Sequence, residues 1–132
     1  MQKKMILLGA IFAGTAVILG AFGAHALRDR LAPDQLLVFE TGVRYQMYHA
    51  LALFAVAWMS ERKPGRAAAA AGRLFVAGIV LFSGSLYLLA TRDLTGAPAA
   101  WLGPVTPLGG LCFIAGWAAL AVAVSRGRDG CP

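Results

Sequence analysis

Residues 5–27 read MILLGAIFAGTAVILGAFGAHAL, a stretch with no charged side chain and only His25 able to titrate. As a helix rising about 1.5 Å per residue it would be about 34 Å long, enough to cross a hydrocarbon core of about 30 Å. Outward from it lie three more apolar runs, and the spans they predict cover approximately residues 5–27, 43–60, 69–90 and 107–125. Hydrophobic residues make up 59% of the 132-residue chain and charged residues 14%, against about a quarter charged in soluble domains. A soluble protein of this size has room to bury one such helix, not four. The expected fold is therefore all-α: an integral membrane four-helix bundle, one domain over residues 1–132, with a short interfacial helical segment between the first two spans.

The polar connections set the orientation. Lys3, Lys4, Arg62, Lys63, Arg66, Arg73, Arg126 and Arg128 fall on one side of a four-span chain, accompanied only by Glu61 and Asp129. On the other side Arg28, Arg30, Arg44 and Arg92 are balanced by Asp29, Asp34, Glu40 and Asp93. The whole net charge of +6 thus lies on the first side. Because Lys and Arg near span ends are retained inside, both termini are expected in the cytoplasm, facing anionic lipid head groups. The basic character does not suggest nucleic acid, since no aromatic residues interleave these charges as stacking platforms. The Lys3-Lys4 start resembles a signal peptide, but its apolar run exceeds the usual length and is expected to stay uncleaved. Cys112 and Cys131 should sit about 25–30 Å apart along a helix, too far to pair.

Within the first span Ala10 and Gly14, and Ala16, Gly20 and Ala24, recur every four residues, a strip on which another helix can approach closely. The Thr15 hydroxyl can bond the carbonyl of the preceding turn. Pro33 and Asp34 suit the opening of a helix, and the amphipathic stretch Asp34–Thr41 is expected to lie at the interface, with Gly42 marking a bend. Glu40 and Arg44, four apart, can pair there. Pro104 and Pro107 predict an irregular approach to the fourth span, with Thr106 capping a helix that starts at Pro107. Trp117 falls near mid-membrane, where its indole N–H needs an acceptor, so it should face protein.

Depth gathers the costly side chains. His25, Arg44, Tyr45, Gln46, His49, Tyr87 and Thr106, with Glu40 nearby, all fall toward the outer leaflet. Tyr45, Gln46 and His49 share a helical face, while Arg44 and Tyr48 point roughly the other way. A polar group this deep must turn toward protein or an aqueous recess. Three readings are open: a structural hydrogen-bonded network of His25, Tyr45, Gln46 and His49; a site for a small solute, ion or head group; and acid–base catalysis. The first is preferred. Two histidines without a partnered Asp, Glu, Ser or Cys at their depth give no nucleophile–base–orienter set, and they lack the third ligand of a zinc centre. No catalytic residue, cofactor or metal is expected.

The combination of Leu19–His25, Phe39–Leu51, Phe82–Tyr87 and Gly103–Gly110 resembles the YgdD-like family of small four-helix membrane proteins. The resemblance extends over nearly the full chain, excepting the charged tail after Ser125. It implies residence in a bacterial inner membrane and this fold, and brings no reaction, cofactor or ligand. The expected role is a structural or accessory membrane component, surrounded by lipid and acting as a homo-oligomer or in a larger membrane complex. A small transporter, channel or lipid-binding module is the alternative.

Overall fold

The computed structural model describes residues 1–126. Arg128, Asp129 and Cys131 lie outside the described residues. The described chain is all-α: α1 (Gln2–His25), α2 (Pro33–Arg62), α3 (Arg66–Ala90), a short α4 (Arg92–Thr95) and α5 (Ala99–Ser125). Of these, α1, α3 and α5 are each long and apolar enough to cross a membrane. The fourth long helix, α2, has 30 residues, about 45 Å, but carries Asp34, Glu40, Arg44, Glu61 and Arg62. The helices pack in chain order, α1 along α2, α2 along α3 and α3 along α5. The most polar long helix therefore has neighbours on both sides, and its buried stripe runs Phe39, Gly42, Gln46, His49, Leu53, Val56, Ser60.

That stripe corrects one expectation. The stretch Asp34–Thr41 is not a helix of its own, because α2 runs unbroken from Pro33 through Gly42. Residues on both sides of Gly42 bury the same face at spacings of three and four, so one helix satisfies them all. Gly42 does not break the helix and is a contact point. A Cβ there would lie 2.8 Å from Cε1 of Tyr87, and the Gly42 carbonyl accepts the Ser83 hydroxyl at 2.7 Å.

The last helix is also longer than expected. α5 begins at Ala99 and passes through both Pro104 and Pro107. Each proline removes a bond to the carbonyl four residues back, here Ala100 and Gly103. Both belong to exposed residues in the first turns of the helix, where water or head groups can replace the lost donor. Thr106 accordingly does not cap a helix: its Oγ1 lies 3.4 Å from the Leu102 carbonyl oxygen and 2.6 Å from the Ser85 hydroxyl.

Packing of α1 follows the expected small-residue strip only in part, at Ala16 and Gly20. Gly9, Ala16 and Gly23, seven apart, are buried, and Gly20 contacts Val43. Ala10, Gly14 and Ala24 face outward, and a Cβ at Gly14 would meet nothing within 4 Å. Seven residues make nearly two whole turns, so the heptad set keeps facing α2 while the Ala10–Gly14 pair lies on another face.

The contact of α3 with α5 alternates glycine and phenylalanine. Phe75 lies over Gly116, Phe113 over Gly78, and Gly109 against the backbone of Phe82. Such exchange lets antiparallel helices interlock without a hydrophobic drive from water. Between Phe75 and Phe82, residues Ile79–Ser83 widen into a π-helical turn. One core forms around Leu53, Val56, Phe75, Ile79 and Phe113, and a smaller one of Leu27, Leu31, Phe39 and Ala90 closes the opposite end. There Gln35 joins two connections, donating from Nε2 to Asp93 at 2.6 Å while its Oε1 accepts the Ala32 N–H at 3.1 Å.

Candidate functional site

Gln46 and His49 are one turn apart on the buried stripe of α2, and each is only 4% exposed. They anchor two separate sets of hydrogen bonds. Gln46 Nε2 donates to the Phe12 carbonyl at 2.9 Å and to Thr15 Oγ1 at 2.8 Å, both on α1. Its Oε1 accepts the Tyr87 hydroxyl of α3 at 2.7 Å. A carbonyl can only accept, so the Phe12 contact fixes which end of the amide carries nitrogen. The Thr15 hydroxyl donates in turn to the Ile11 carbonyl at 2.9 Å, as expected, and its lone pair gives it a second use. One amide thus ties three helices together.

His49 faces the other way, toward α3 and α5. Nδ1 lies 2.7 Å from the Tyr45 carbonyl oxygen, and Nε2 accepts the Trp117 indole N–H at 3.1 Å. Since a carbonyl only accepts and an indole N–H only donates, the two partners together select the tautomer with hydrogen on Nδ1. The imidazole lies flat on Phe113, with centroids 3.5 Å apart and planes 8° from parallel, and Phe75 and Tyr45 complete an aromatic enclosure. Trp117 does meet protein through its N–H, although the rest of the indole is half exposed.

The other candidates are dispersed. His25 is exposed at the end of α1 and makes no side-chain hydrogen bond among the described residues. Tyr45 supplies its carbonyl and ring face, not its hydroxyl, to the His49 enclosure. Glu40 and Arg44 pair across one turn at 3.5 Å, about half exposed. They border a groove of about 270 Å³ between α1 and α2 whose walls are Gly20, Gly23, Phe39 and Val43. That groove does not reach His49, so the structure does not join His25, Arg44 and His49 around one opening. Thr106 belongs to a third link, with Ser85.

Position along each helix was readable in the sequence, but position around it was not. His25 follows the exposed Phe22 by three residues and shares its outward face. Ser83 and Ser85 are absent from the expected cluster, yet each hydroxyl bridges to another helix. A serine inside an apolar run carries a hydroxyl that needs a partner, and that was the available signal.

Chemically, these groups hold helices together. No side-chain carboxylate, thiol or serine hydroxyl bonds to either histidine among the described residues. Nor do three His, Cys, Asp or Glu side chains gather there as a metal site would need.

The family model described as "Protein of unknown function (DUF423)" matches residues 19–110, which hold both hydrogen-bonded sets except Ile11, Phe12, Thr15 and Trp117. The "UPF0382 membrane protein YwdK" of Bacillus subtilis is 49% identical over 126 residues, covering 95% of this chain and 98% of that protein. A Staphylococcus epidermidis "UPF0382 membrane protein" is 43% identical over 125 residues. The "UPF0382 inner membrane protein YgdD" of Escherichia coli is 38% identical over 125 residues, covering 95% of this chain and 92% of that protein. No solved structure matches. With a matching model across most of its length and relatives similar from end to end, this transmembrane helical chain belongs to the uncharacterised DUF423 (UPF0382) family.

Proposed function

We propose that this protein is a structural or accessory component of the bacterial inner membrane, working without catalysis or a cofactor. In this reading α2 is the fourth span of a bundle, both termini are cytoplasmic, and the protein acts among lipids as a homo-oligomer or within a larger membrane complex. The charge asymmetry of the connections supports the orientation, and the printed description of the E. coli relative supports the location.

The observation that carries the proposal is the internal satisfaction of Gln46 and His49. Groups that bind or conduct a solute keep a lone pair or donor free for it. Here both ring nitrogens of His49, and both the nitrogen and the oxygen of the Gln46 amide, are engaged by protein. Polar groups used this way fix which helices meet and in what register, at the level of about 1 kcal/mol per bond.

His49→Leu tests this directly. It leaves the Trp117 N–H without its acceptor and removes the stacked ring from Phe113. The expected result is thermal unfolding in detergent at a temperature lower by several degrees, with solute flux and lipid retention in proteoliposomes unchanged. Loss of a transport or binding signal without loss of thermal stability would contradict the structural role. Orientation is tested separately with reporter domains fused to each end: both should read as cytoplasmic, and an external reading at either end refutes that part.

A further inference from the structure

Lys63-Pro64-Gly65 turns the chain from α2 into α3, and α5 returns to finish beside the start of α3. Where these segments meet lies a recess of about 420 Å³, walled by the small residues Ala67, Ala68 and Ala123 and edged by Lys63, Arg66 and Arg126. No acidic side chain among the described residues lines it. Neither ion pair among the described residues includes one of its three cations, since those pairs are Arg44–Glu40 and Arg92–Asp93. Arg62, just before the turn, is differently employed, lying 4.7 Å from the centre of the Trp58 ring.

Positive charge at this end is expected for orientation alone, but orientation does not require three cations from three segments to surround one concavity. The first turn of α3 has no side-chain cap, so its amide N–H groups add about half a positive charge to the same place. The end of α5 contributes about half a negative charge, which three full cations outweigh. The position matters as well. α3 and α5 are both of membrane-crossing length and composition, so the shared end of this pair stands at the level of lipid phosphates. Arg offers two parallel donors to a phosphate, while Lys supplies a mobile point charge. The alanine walls can accept the carbon–hydrogen groups of the glycerol and the start of the acyl chains that follow.

We infer that this recess binds the phosphate of an anionic glycerophospholipid head group, held by Arg66 and Arg126 with Lys63 supplying charge. The inference requires only that α3 and α5 cross the membrane. It does not depend on α2 crossing or on which side the termini occupy, so the fusion reporters can fail without touching it.

The test uses the full chain reconstituted in vesicles of phosphatidylcholine and phosphatidylglycerol in equal parts, then released for native mass spectrometry. The wild type should retain phosphatidylglycerol preferentially. Arg66→Gln and Arg126→Gln should each lower that preference about fivefold, while Arg62→Gln leaves it unchanged. Ala123→Phe keeps every charge but fills the recess, and it should abolish the preference even if a charge variant inserts poorly. Equal losses from Arg62→Gln, with none from Ala123→Phe, would indicate diffuse surface charge and overturn the site. Displacement of the lipid by inorganic phosphate alone would assign the same oxyanion chemistry to a soluble phosphate and overturn the lipid assignment.

Discussion

Gly109→Ala is expected to be the most damaging methyl group that can be added to this protein, while Gly110→Ala, one position along, is expected to be harmless. A Cβ at Gly109 collides with the backbone nitrogen and Cα of Phe82, atoms that cannot rotate away as a flexible side chain can. Relief requires α3 and α5 to separate, and the Ser85–Thr106 and Ser83–Gly42 bonds lie within three residues of the contact. Overpacking costs about 1–3 kcal/mol where side chains yield, and a backbone collision belongs at or above the top of that range. At Gly110 the nearest Phe82 atoms would lie 3.9 Å away, an ordinary contact, and alanine gains about 1 kcal/mol of helix propensity. Unfolding followed by circular dichroism in detergent should place Gly109→Ala on the order of 10 °C below the wild type and Gly110→Ala level with it or above. Similar melting temperatures for the two variants would mean that α3 and α5 do not touch here.

Gln46→Leu is the second large effect. Leucine fills much the same volume but leaves the Tyr87 hydroxyl without an acceptor and Thr15 without the donor that reaches it from α2. Hydrogen bonds between membrane helices average about 0.6 kcal/mol, so three account for about 2 kcal/mol, and an orphaned buried hydroxyl adds about 1–3 kcal/mol. Tyr87→Phe alone should cost less, since Gln46 keeps both contacts to α1. The decisive measurement is the double variant. Without the tyrosine hydroxyl, leucine at 46 orphans one group fewer, so the pair should be less destabilised than the sum of the singles, with a coupling of about 1 kcal/mol. Additive effects would show that the two side chains do not share a bond.

These two sites also show where sequence reading reached its limit. The apolar runs were legible because a bilayer demands a length of greasy helix that little else in a small chain requires. The shared level of Gln46, Tyr87 and their neighbours along the helices followed by counting along those runs. Facing was another matter. Gly42 read as a bend because glycine weakens helices, yet in this helix the missing side chain makes room for the Tyr87 ring. Pro104 and Pro107 read as breaks, but their freed carbonyls belong to exposed residues and the helix continues. The Phe75–Gly116, Gly78–Phe113 and Phe82–Gly109 exchange is invisible in either helix alone, because each half explains the other only once α3 and α5 are antiparallel neighbours.

The π-helical turn at Ile79–Ser83 has a consequence for how this chain can change in length. A wide turn accommodates one residue more than an ordinary one, and each helical residue advances the face by about 100°. Were that turn to tighten with every residue kept, everything beyond it would swing by roughly that angle relative to Phe75 and Gly78. Tyr87 would leave Gln46, and Ser85 would leave Thr106, though no amino acid had changed identity. The surplus residue thus works as a phase shifter: it lets one half of α3 mesh with the phenylalanine–glycine seam while the other half addresses α2. Delete one residue from the turn itself, and an ordinary turn points the remainder as before, so at this point the gene has a codon to spare.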